Sequence, residues 1–105
     1  MAEDEQQEFD YAEFVRDLAT QAESLVPADI SPDDRTYITS TIYNYCLVAI
    51  EALIKEKDIT IDSATLITQY IGEWTFHKSI DLIRAGIDRQ LRDDVLQKMH
   101  MLFLK

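Results

Sequence analysis

Apolar residues recur at helical spacing along nearly the whole chain, and the longest such stretch, Leu66 to Leu91, carries two stripes instead of one. At 100° per residue, Ile67, Ile71 and Trp74 share one side of a helix, with Leu66 and Tyr70 beside them. Phe76, Ile80, Ile83, Ile87 and Leu91 fall on roughly the opposite side. No proline or capping sequence interrupts the stretch, and Gly72 costs only about 1 kcal/mol relative to alanine in a helix. The pattern therefore predicts one continuous helix from about Ser63 to Ile87. Ile67, Ile71 and Trp74 should pack on the earlier helices, and Phe76, Ile80 and Ile83 on the last helix or on a partner.

The flanking segments read as helices too. Tyr11, Phe14, Val15, Leu18, Ala22, Leu25 and Val26 cluster within roughly 120° of arc, which predicts a helix from about Asp10 to Leu25 with one face on a core. Pro27 stops it, because proline disfavours helical geometry in the residue before it. Ser31-Pro32-Asp33-Asp34 is a helix start: a capping hydroxyl, a proline with no N–H to leave unpaired, and two carboxylates at the positive end of the dipole. The helix it opens should reach about Lys57. Ile38, Ile42, Tyr45, Cys46, Ala49 and Leu53 give it one apolar face, and Tyr43, Leu47, Ile50 and Ile54 widen that face past half the circumference. Thr60 or Asp62 can cap the long third helix. From Arg84 onward Ile87, Leu91, Val95, Met99 and Leu102 continue an apolar stripe, and a boundary near residues 85–92, where Gly86 stands, leaves a last helix from about Asp93 to Leu104. The expected fold is all-α, with four or five helices in an orthogonal or up-down bundle, a long central third helix, and a domain over residues 9–105.

Two glycines and two prolines in 105 residues agree with few tight turns. The net charge of −10 is uneven. Residues 1–34 hold eleven acidic residues against Arg16 alone, whereas residues 35–105 hold nine of each sign. Residues 1–8, with four acids and two glutamines, read as a disordered tail. This distribution opposes binding to nucleic acid or to an anionic membrane and favours a basic protein partner. The charge-free run Thr36 to Ile50 is too short and too polar to span a bilayer, and the N-terminus lacks a secretory signal. Lone Cys46 cannot form an internal disulfide and reads as a small core residue. Together these features point to a cytoplasmic protein.

Chemistry is sparse. Glu73, His77 and Asp81, at i, i+4 and i+8, share a helical face and are the candidate metal ligands, but they supply only three donors. His77-Lys78-Ser79 resembles the site of histidine phosphotransfer domains, which are helical bundles of similar size. That family places its lysine three residues after the histidine and a small residue after that, whereas Ile80 occupies the lysine position here. Lys78, Arg89 and Arg92 share a face, as a DNA-reading helix requires, but Asp81 and Asp88 are interleaved with them. No glycine-rich phosphate loop is present, nothing brings Cys46 to His77 or His100, and no cofactor or enzymatic activity is indicated. What stands out is an excess of apolar helix surface. It suggests an adaptor, assembly factor or regulator that forms a homodimer through Met99, Leu102, Phe103 and Leu104, extended by Ile83, Ile87 and Leu91.

Overall fold

A computed structural model describes residues 10–103. Among the described residues all regular structure is helical: α1 (Tyr11–Ser24), α2 (Pro32–Glu51, prolonged by a π-helical turn over Ala52–Glu56), α3 (Ile61–Arg84) and α4 (Arg89–Phe103). The expected tail at residues 1–8 and the candidate contact residue Leu104 lie outside the described residues.

Side-chain caps set the helix starts. The Glu13, Asp34 and Ser63 N–H groups donate to Asp10, Ser31 and Thr60 at 3.0, 3.2 and 3.3 Å, and Pro32 takes the first turn of α2. The end of α3 is fixed by Gly86, whose φ of 77° is left-handed. Its N–H donates to the Ile83 carbonyl at 3.0 Å and that of Ile87 to Leu82 at 3.1 Å, the Schellman pattern. Asp88 then accepts from the Leu91 N–H at 2.9 Å, so α4 begins at Arg89, four residues before the sequence expectation of Asp93.

The helices alternate in direction. Lys55 stands over the Tyr11 ring at one end of α2, and Arg35 donates to the Glu23 carbonyl near the other, so α1 and α2 are antiparallel. The Arg84–Asp29 ion pair at 2.9 Å brings the end of α3 back to the start of α2. Contacts from Arg92 to Asp34 and from His100 to Tyr45 run α4 parallel to α2. The fold measures 51 × 28 × 17 Å, two helices deep.

Val15 and Ala19 of α1, Ile38, Ile42, Cys46 and Ile50 of α2, and Ala64, Phe76 and Ile80 of α3 form the core with Val26 and Ile30 of the α1–α2 connection. The central element is therefore α2, not the third helix. Pro32–Glu56 spans 25 residues, long and apolar enough by length and composition to cross a membrane, which the fifteen-residue charge-free run alone was not. Half of its apolar window is buried here, and Ile38, Ile42, Cys46, Ala49 and Ile50 are at most 1% exposed, the packing of a core helix.

The double stripe of α3 resolves in an unexpected way. The helix is continuous through Trp74 and Thr75, and the middle of its buried face is neither apolar stripe but the seam Ala64, Thr68, Gly72, Thr75 and Ser79. Small residues let α3 lie close on α2: a Cβ added at Gly72 would stand 3.3 Å from Cys46 Sγ. The two apolar stripes flank this seam, and the expected assignment is reversed for Phe76, Ile80, Ile83 and Trp74, while Leu66, Ile67 and Tyr70 are exposed. Phe76, Ile80 and Ile83 join the core shared with α1 and α2, while Trp74 meets His100 and Phe103 of α4.

Candidate interaction surfaces

The last helix docks by two polar residues and a leucine between them. Arg92, Leu96 and His100, at i, i+4 and i+8, are its buried side chains. The Arg92 guanidinium lies 4.5 Å from the centroid of the Tyr37 ring, with Nη1 3.4 Å from Asp34 Oδ1. Arg89 approaches the same ring at 5.2 Å, and the Tyr37 hydroxyl donates to Asp93 Oδ1 at 2.7 Å. Burial, reinforced by that carboxylate acceptor, pushes the Tyr37 phenol well above its ordinary range, so it stays a donor. Further along, His100 stacks on Tyr45 at 4.1 Å with Trp74 and Phe103 edge-on to it. Its Nε2 is 2.8 Å from Thr75 Oγ1, which also lies 2.8 Å from the Ile71 carbonyl. One hydroxyl proton serves one of these contacts. With it donated to Ile71, the Nε2–H donates to Thr75. Burial lowers the His100 pKa to about 4, which keeps the ring neutral.

Turning Arg92, Leu96 and His100 inward turns the apolar stripe of α4 outward. Leu91 is 47% exposed, Val95 38% and Leu102 59%, and Met101 is exposed beside them. Of the expected contact residues, Met99 and Ile87 are half-buried, and Phe103 is 40% exposed with its ring edge-on to Trp74. Ile83 is partly buried and packs against the core of α1, α2 and α3.

A second surface lies on the other flank of α3. There α1 and α3 diverge above Ile42 and leave a groove of about 600 Å³. Phe14, Leu18, Ala22, Leu25, Gly72 and Phe76 give it an apolar lining, and Asp17, Gln21, Gln69, Glu73 and His77 stand along it as polar groups.

The candidate metal ligands Glu73, His77 and Asp81 are all exposed, and no group of three or more His, Cys, Asp or Glu residues able to hold a metal is found among the described residues. His77 instead sits edge-on to Phe76 at 5.3 Å. The basic face expected from Lys78, Arg89 and Arg92 is divided: Lys78 lies on α3 while the two arginines lie on α4 against Tyr37, Arg92 being only 7% exposed. A guanidinium so placed is not presented to a phosphate backbone. Cys46 is fully buried against Thr68 and Gly72, and burial pushes its thiol up to about 12, so it offers no thiolate.

Tyr37, Arg92 and His100 were not legible as packing residues. The only sequence signal was the i, i+4, i+8 spacing of Arg92, Leu96 and His100, which competes with the more apolar stripe one residue earlier. Comparison of the chain with family models, with curated proteins and with solved structures returns no match.

Proposed function

We propose that this chain is a small protein–protein interaction module of the cytoplasm, an adaptor, assembly factor or regulator with no catalytic activity, which pairs with a second copy through the outer face of α4. One observation carries the reading: the facing of α4, whose Arg92 and His100 are buried with Leu96 while Leu91, Val95 and Leu102 face outward. A stripe of that kind is unfavourable in water and suits a helix–helix interface. Its polar neighbours fit a two-fold contact. Lys98 lies within the stripe and Asp94 at its edge. In an antiparallel pair centred between Leu91 and Leu102, each Lys98 comes alongside the other copy's Asp94, the self-complementary arrangement an isologous dimer requires.

Light scattering over a micromolar dilution series should give twice the 12.2 kDa of one chain. Leu91→Asp with Leu102→Asp should return the single-chain mass with an unchanged helical circular dichroism spectrum, because neither residue contributes to the core. Wild type that stays at 12.2 kDa throughout the series removes the self-pairing proposal.

A further inference from the structure

Among the described residues, no helix covers the groove between α1 and α3. Both helices rest on α2, and a fourth helix of an up-down bundle would fit across them, above Ile42. That place is not taken by α4, which docks on the other flank through Tyr37, Tyr45, Trp74 and Thr75. The lining runs from Phe14 to Leu25 along α1, about 16 Å or three helical turns at 1.5 Å per residue. A trough of that length over an apolar floor matches the i, i+3 or i+4, i+7 anchors of an amphipathic helix.

Charge selects the occupant. Among the described residues, the charged side chains along the groove are the carboxylates of Asp17 on α1 and Glu73 on α3, with no lysine or arginine beside them. The chain's own first eight residues carry four acids and no lysine or arginine, so they meet like charge here. We propose that this groove binds an amphipathic helix of a different protein, with large apolar anchors on one face and Lys or Arg on the edges of that face to meet Asp17 and Glu73. The site is separate from the α4 stripe, and it stands or falls independently of self-pairing.

The test uses the full chain and three labelled synthetic sixteen-residue helices read by fluorescence anisotropy. One has a leucine stripe flanked by lysine, one the same stripe flanked by glutamate, and one the composition of the first in scrambled order. The lysine-flanked helix should bind in the micromolar range, and at least tenfold more tightly than either other peptide. Asp17→Lys with Glu73→Lys, both at exposed positions, should weaken the lysine-flanked helix at least tenfold and admit the glutamate-flanked one. Ala22→Phe, which fills the groove from a half-buried position, should weaken binding without changing the molar mass of the protein. Equal binding of the scrambled peptide would reduce the effect to diffuse charge attraction and overturn the groove assignment. Absence of binding by the lysine-flanked helix, or affinities unmoved by the charge reversal, would overturn it as well.

Discussion

His100 is a titratable group folded in its neutral form, and this makes the stability of the fold depend on pH. In the unfolded chain the ring takes up a proton near its ordinary value of 6.5, whereas in the fold burial holds that step down to about 4. Between these values the unfolded state binds more protons. Stability is therefore complete above about pH 6.5 and declines as the pH falls toward 4, by about 2 kcal/mol near pH 5 and roughly 3 kcal/mol at the lower limit. Urea titrations at pH 7 and pH 5 should show this loss in the wild type. His100→Phe, which keeps a ring against Tyr45 but cannot titrate, should show little of it, and an equal pH dependence in both proteins would assign the effect elsewhere. At the same scale, Gly72 is explained by the 3.3 Å approach to Cys46 Sγ that a side chain there would make, a reason invisible to helix propensity.

The helices themselves follow local rules closely. Ser31 with Pro32, Thr60, and Gly86 act where their chemistry placed them, and α1 and α2 end close to their expected limits. Which face of a helix is inside is a different matter, and α4 is the clearest case. Its hydrophobic pattern favours Leu91, Val95 and Leu102, yet Arg92, Leu96 and His100 are the buried residues because α2 and α3 meet them with Asp34, Tyr37, Tyr45 and Thr75. A helix docked by such directional contacts should loosen when one is removed. Tyr37→Phe deletes the hydrogen bond to Asp93 and should cost about 1–2 kcal/mol. Hydrogen exchange should place the change in α4 and leave the α1–α2–α3 core protected, and uniform acceleration would show that α4 is not a separable unit.

At the scale of the molecule, the −10 net charge and the two proposed surfaces make opposite demands. Two copies of one acidic chain repel over a longer range than the two exposed Lys98–Asp94 contacts attract, so raising salt from 50 to 500 mM should on balance strengthen self-pairing through α4 in light scattering. The same change should weaken the lysine-flanked helix in the α1–α3 groove, where attraction to Asp17 and Glu73 is screened. Salt effects of the same sign on both equilibria would contradict the assignment of at least one surface.

The sequence alone determined the helical class, the capped starts of α2 and α3 and the stop of α3 at Gly86, and it favoured an α3 unbroken at Trp74 and an excess of apolar surface. These are consequences of periodicity, capping and composition, all local along the chain. The tertiary structure alone decided that α2 is the centre, that a seam of small residues lies between the two stripes of α3, and that α4 faces inward with an arginine and a histidine. Those outcomes depend on which partners stand opposite. A hydrogen bond or an aromatic ring supplied by another helix reverses the preference that a side chain has when its neighbours along the chain are all that is known.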